Sequence, residues 1–347
     1  MVSLEQIFNA NYIQYDRLIV LTNNAFKGSN SNNINIYIDL YSMIKPLYRD
    51  NYIIEDYSAL TSCIINIVAH YRAFFRTRYN VESKFYLIYS KNCPYINKQF
   101  IQDYNAKNEY MMSVNNQKEE MIVNALELVK ILAPYLPEVY YVTTEFEAGV
   151  IMKELILRDN VTPHLIITKD KYLYQLPSKH DNCIIYRPMK KDGIDYSYYI
   201  NKENVLMTYL AERKIKDRNS YIKISGEIMP LLFTLNTLPE RNIKSILNIT
   251  TFLSSVLNTI SCGGKIKDLE SFIIYYNSSM FTKTRLNYSM VTNRFKAIDL
   301  DFQHSIYIET SEYQNLDKCI IDLFDPETVR YINDKYFVDK PLDLMRL

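Results

Sequence analysis

The stretch "LIITKDKYLYQLP", residues 165–177, decides how the chain is built. Leu165, Ile166 and Ile167 form a short unbroken apolar run, the pattern of a strand buried on both faces. A polar turn follows, and "YLYQLP" then reads as a short helix. Asp170 is left where the strand runs out, with Tyr172 two residues later. In open parallel sheets ligands bind outside the carboxyl ends of the strands.

Outward from this stretch, strands and helices alternate. "INIYIDLYSMI" places Ile34, Ile36 and Ile38 in alternation with Asn35, Tyr37 and Asp39, the pattern of a strand ending near Asp39. "KFYLIYS", "EVYYVT", "HLIITK" and "NCIIYRP" supply four more strands. Helical spacing fills residues 56–79, the segment "NNQKEEMIVNALELVKILAPYL" and the segment "EFEAGVIMKELILRD". This rhythm predicts an α/β fold with a central, mostly parallel sheet flanked by helices. From residue 201 onward helical spacing dominates, which predicts a C-terminal helical annex. The expected division is an N-terminal extension at 1–33, an α/β core at 34–200, the annex at 201–290 and a tail at 291–347. The tail reads as one strand, "HSIYIE", and one helix, "DPETVRYINDKY".

The 347 residues carry a formal net charge of +1, so any nucleic-acid site must be a local patch. Six glycines, no tryptophan and 32 tyrosines fit an AT-rich genome such as a phage has. Five scattered cysteines without a C-x-x-C pair predict reduced thiols in a cytoplasm, that of the host cell if the chain is phage-encoded. The longest apolar runs fall short of the roughly 20 residues a membrane span needs. His70, His164, His180 and His304 have no metal-ligand spacing, and neither a nucleophile elbow nor a phosphate-binding P-loop is present.

The carboxylates are better placed. Asp39 ends the first strand, Glu145 and Glu147 follow the third, and Asp170 ends the fourth. Three acids from separate strand ends, Asp39, Glu147 and Asp170, can converge on one crevice, and the chemistry that gathers carboxylates is that of a hard divalent cation such as Mg²⁺ or Mn²⁺. An acid after a strand also serves as a helix N-cap, which is the competing reading at each position.

Taken in order, these segments resemble the PIN-like family of flap endonucleases and 5'-to-3' exonucleases over roughly residues 34–250. "IYIDLYSMI" resembles the family's first strand, with Asp39 as its metal-binding acid. "FYLIYSKNCPYINKQFIQDYNAKN" resembles the strand that ends in Phe-Asp and leads into a basic arch, here at 91–116. "FEAGVIMKELI" resembles the Glu-Ala-Asp-Asp helix start, with Glu147 on the glutamate. "ITKDKYLYQLP" resembles Gly-Asp-x-Asp-x-x-Gln-Leu, with Asp170 on the first aspartate and Gln175 and Leu176 on the last two positions. The resemblance implies metal-dependent phosphodiester hydrolysis on single-stranded or branched DNA. Several family acids are replaced: the strand-end aspartate by Tyr89, the Asp-Asp pair by Gly149 and Val150, and the second signature aspartate by Tyr172. The resemblance therefore implies one metal site on Asp39, Glu147 and Asp170, with the second dismantled. The alternative it leaves open is an inactive nuclease-like protein that binds nucleic acid or serves a virion or replisome.

Phosphate contacts are expected from Arg72, Arg76 and Arg78 at a helix end, Lys91 and Lys98 in the arch, Lys169 and Lys171 beside Asp170, and Arg241 and Lys244 near the family's helix-hairpin-helix position. DNA is the expected partner, protein partners stay unknown, and no membrane partner is expected.

Overall fold

The computed structural model describes residues 33–40, 42–43, 67–69, 71–73, 76, 82–90, 124, 126–127, 129–131, 133, 136, 138–144, 147–187, 190–191, 194–195, 198–236, 245–261, 266, 268–278 and 285–302. The expected arch, residues 1–32, and the strand and helix expected beyond residue 302 lie outside these. So do Glu145, Arg78, Lys91, Lys98, Arg241 and Lys244.

The strands are β1 (Asn33–Asp39), β2 (Glu82–Ser90), β3 (Val139–Thr144), β4 (His164–Ile167), β5 (Cys183–Arg187), β6 (Lys190–Lys191), β7 (Ile194–Asp195) and β8 (Tyr198–Ile200). The main sheet has the order β3-β2-β1-β4-β5-β8. Its first five strands are parallel, and β8 closes the edge antiparallel to β5. The hairpin β6–β7 and strand β8 were not legible as strands.

Helices whose full extent is described are α1 (Ala148–Arg158), α2 (Gln175–Lys179), α3 (Val205–Glu212), α4 (Met229–Leu235), α5 (Ile249–Ser261), α6 (Leu269–Ser278) and α7 (Tyr288–Ile298). A 3₁₀ turn at Lys171–Tyr174 precedes α2. Helix α7 runs across residue 290, and a continuous apolar core joins the sheet to α1 and the annex helices.

Alternation in β1 does not separate core from solvent. Asn35, Tyr37 and Asp39 are buried as fully as Ile34, Ile36 and Ile38, because β1 is central and both its faces are covered. Burial obliges the polar side chains to find partners. Tyr37 hydroxyl lies 2.8 Å from His164 Nδ1, and Asn35 donates to Asp159 at 3.0 Å. His164 Nε2 is 2.6 Å from the Asp159 carbonyl. That carbonyl can only accept, so Nε2 carries the proton and Nδ1 accepts from Tyr37. Tyr37, Ile88, Val142, Ile166 and Ile185 face α1 and the annex. On the opposite face Tyr186 meets Tyr71 edge to face.

Two local features fix the layers. Helix α3 ends in a Schellman motif, Ile215 N–H donating to Leu210 carbonyl at 3.0 Å and Lys214 N–H to Ala211 carbonyl at 2.9 Å. Lys214 therefore adopts φ 56°, a position glycine usually takes. After α7, residues 298–302 form a strap over α1 and α2. Gln175 donates to Ile298 carbonyl at 3.1 Å and accepts from Leu300 N–H at 3.3 Å. Lys179 pairs with Asp299 at 3.2 Å, and both Lys153 and Lys179 pair with Asp301. Leu300 and Leu173 pack on Gly149 so closely that a Cβ there would sit 2.7 Å from Leu173 Cδ2. Gln175 of the "QL" pair is thus fully engaged in holding the strap. No helix among the described residues is long and apolar enough to cross a membrane.

Candidate functional site

The order of strands reverses between β1 and β4, so the carboxyl ends of these two neighbours flank the switch point of the sheet. Asp39 is the last residue of β1, and Thr168 to Asp170 follow β4 directly. The chain turns helical after Asp39, and Ser42 N–H donates to Asp39 Oδ1 at 3.3 Å, an N-cap bond. Thr168 Oγ1 donates to Asp39 Oδ2 at 2.9 Å. With its proton spent there, Thr168 Oγ1 accepts from Ser42 Oγ at 3.0 Å and from Asp170 N–H at 2.9 Å. Lys169 N–H in turn donates to Ser42 Oγ at 3.1 Å. These bonds run toward the Asp39 carboxylate and stitch the two strand ends together.

Asp39 is 4% exposed, and its carboxyl titrates at about 6 instead of the ordinary 3.8. Burial is the larger cause and the like charge of Asp170 the second, while the bonds from Ser42 and Thr168 pull the other way. Asp170 also caps the 3₁₀ turn, its Oδ1 accepting from Tyr172 N–H at 2.9 Å. That aspartate is therefore a cap, and its charge is felt at Asp39. The bonds shown for Asp39 use two of roughly four acceptor positions on a carboxylate. Two neighbouring acids of this kind fit a hard divalent cation, which often takes only one or two protein carboxylates.

Glu147 is buried at the N-cap of α1, and its carbonyl accepts from Val150 N–H at 2.9 Å. Among the described residues no three His, Cys, Asp or Glu side chains group as a metal-holding set. The structure thus brings Asp39 and Asp170 together and does not join Glu147 to them as a third ligand. Tyr172 is buried, and Gly149 is enclosed by Leu173 and Leu300, so two of the four positions that lack the acids of the resembled motifs are packed.

No protein-family model matches the sequence, and no curated protein does. Solved structures do. The chain is similar in structure to flap endonucleases. A bacteriophage T5 flap endonuclease, in complex with DNA and metal ions, aligns at TM-score 0.49 and 12% identity, covering 82% of this chain and 96% of its own. A zinc-bound T5 5'-exonuclease aligns at 0.44 and 13%, covering 88% and 97%. Human GEN1, in complex with Holliday junction DNA, aligns at 0.42 and 11%, covering 91% and 69%.

Of the expected basic residues, the four that are described lie in different places. Arg76 pairs with Glu82, the first residue of β2, at 3.0 Å. Arg72 is buried with its guanidinium 5.3 Å from the Phe85 ring centre. In register, Asp39 lies beside Ile88, so Glu82 is six residues back along the sheet. At about 3.3 Å per residue this puts the Arg76 pair ~20 Å from the level of Asp39, at the amino edge. Lys171 is held in an ion pair with Glu212 at 3.2 Å, both side chains largely buried. Lys169 stands directly beside Asp170.

Four residues that belong to this region were not picked out from the sequence. Ser42 had a local signal, standing three residues after Asp39 as a capped N–H does. Thr168 also had one, a hydroxyl at the end of an apolar run. Arg187 and Glu212 had none, since Arg187 reaches the Lys169 carbonyl 18 residues away and Glu212 lies on α3.

Proposed function

We propose that the chain binds DNA at the carboxyl edge of the sheet and hydrolyses phosphodiesters there with one divalent cation, Mg²⁺ or Mn²⁺. The observation that carries this reading is the pair Asp39 and Asp170, held side by side at the switch point by Ser42 and Thr168. When bound, such a cation supplies Lewis-acid stabilisation of phosphoryl oxygens and lowers the pKa of water. Asp39 and Asp170 would hold it, with Glu147 the third carboxylate on the same edge. The chain's own contribution is to keep Asp39 dry and oriented, and to set Lys169 beside the site as a phosphate partner. DNA with a 5' flap or single-stranded arm is the substrate class implied by the family that the motifs resemble.

A second reading is favoured by Gly149 and Tyr172. With no acid at either position and both tightly packed, the chain is a nuclease-like DNA-binding protein that does not cleave. Incubating the protein with a labelled 5'-flap duplex and Mn²⁺, beside Asp170→Ala, separates the two. Cleavage lost in the variant supports hydrolysis; salt-dependent binding without cleavage supports the second reading. Absence of both cleavage and binding rejects each of them.

A further inference from the structure

We propose that Glu212 and Arg187 are positioning residues for Asp170, acting through the backbone of the turn that carries it. The inference rests on the reading of Asp39 and Asp170 as a cation site, and extends it to a support on the far side of the turn. Arg187 is the last residue of β5, which pairs with β4, so its side chain reaches the turn leaving β4. Its guanidinium donates to the Lys169 carbonyl at 2.6 Å and pairs through Nε with Glu212 Oε1 at 3.1 Å. The same carboxylate accepts from Tyr174 hydroxyl at 2.7 Å and pairs with Lys171 Nζ at 3.2 Å. The Tyr174 ring lies under the guanidinium, 5.8 Å from its centre.

One carboxylate thus ties the segment at residue 169 through Arg187, at 171 directly and at 174 directly. Asp170 sits inside this triangle. The side chains of Arg187, Glu212 and Lys171 are 13%, 9% and 16% exposed, so their ion pairs, and the charge-assisted hydrogen bonds from Arg187 to the Lys169 carbonyl and from Tyr174 to Glu212, are shielded from water. The Schellman turn after α3 fixes the end of the helix from which Glu212 projects. Leu173 and Leu176, in and just after the same turn, are anchored separately in the apolar core. What the hub adds is a rigid main chain at Asp170, and ligand side chains bind well when their supports are locked.

The test uses the full chain, with Arg187→Lys and Glu212→Gln. Lysine keeps the charge beside Glu212 but loses the fork that reaches the Lys169 carbonyl. Amide hydrogen exchange is read by NMR at Asp170 and Tyr172, with Leu165 to Ile167 of β4 as internal reference, and Mn²⁺ affinity by calorimetry. The expected result for Arg187→Lys is roughly tenfold faster exchange at the two turn amides, the scale of losing one charge-assisted hydrogen bond. Strand amides and the thermal midpoint should stay as in the parent, while Mn²⁺ binds about tenfold more weakly. Unchanged turn amides overturn the proposal, and so does uniform acceleration of turn and strand, or faster turn exchange with Mn²⁺ affinity intact. If Glu212→Gln fails to fold, Arg187→Lys alone decides. Should the parent bind no Mn²⁺, the metal reading fails, while the exchange data still judge the hub.

Discussion

Asparagine at position 39 should make the chain more stable at pH 8 and leave it no more stable at pH 4. Inside the folded chain the Asp39 carboxyl titrates at about 6 instead of 3.8, chiefly because it is buried and secondly because Asp170 is close. At roughly 1.4 kcal/mol per tenfold change in proton affinity, ionising it there costs about 3 kcal/mol. The folded value lies above the unfolded one. Its contribution therefore favours folding fully below pH 3.8 and is lost as pH rises through 6. Asn has no charge to desolvate, but it has one oxygen for two donors, Ser42 N–H and Thr168 hydroxyl. Losing one of those bonds returns about 1 kcal/mol. The net expectation is a variant about 2 kcal/mol more stable than the parent at pH 8, with that advantage gone at pH 4. Urea unfolding of both proteins in chelator at the two pH values measures it. Equal differences at both pH values, or a variant less stable at pH 8, would refute the account of Asp39 as a buried, repelled carboxylate. Adding Mn²⁺ at pH 8 should then narrow the gap, since only the parent keeps both acids for it.

Other outcomes follow from features away from that pair. His164 should stay neutral in the folded chain down to about pH 4, because burial lowers it from 6.5; the stability this gives is present above 6.5 and lost as pH falls toward 4, and imidazole ¹⁵N shifts will report it. Gly149→Ala should cost roughly 1–3 kcal/mol in urea unfolding, since its methyl meets Leu173 and Leu300 in a closed space. Gln175→Ala leaves the Ile298 carbonyl and Leu300 N–H buried without that partner and should cost about 2–4 kcal/mol, with faster amide exchange at Leu300. Lys214→Gly relieves a left-handed backbone and should raise stability by about 1 kcal/mol.

The five parallel strands and most helices could be read from the sequence because each carries its signal locally. Apolar runs such as Leu165 to Ile167, ended by polar turns, need no knowledge of their neighbours. The alternation seen in β1 marks the strand but not its burial, since Tyr37 and Asn35 are made safe inside by His164 and Asp159, residues more than a hundred positions away. The placing of Asp39 and Asp170 at neighbouring strand ends was legible from order alone. Whether Glu147 groups with them was not, because it depends on where α1 begins relative to a strand two places across the sheet. The grip of Arg187 and Glu212 on the turn is likewise written in tertiary geometry, as is the conversion of Lys171 from a candidate phosphate contact to a buried ion-pair partner. Strands as short as β6, β7 and β8 owe their state to pairing and not to propensity.

The strap at residues 298–302 ties the site to the timing of synthesis. Gln175 and Leu300 are 125 residues apart in the chain, so the clasp across α1 and α2 cannot close until residue 300 has been made. At about 5–20 residues per second the growing chain spends roughly 6–25 seconds with both carboxylates translated and Gly149 still lacking its cover of Leu300. A nascent chain in that interval carries the acids without the clasp over α1 and α2. Closure of the clasp over α1 and α2 thus comes after the residues that bond Asp39 and Asp170 have all been made.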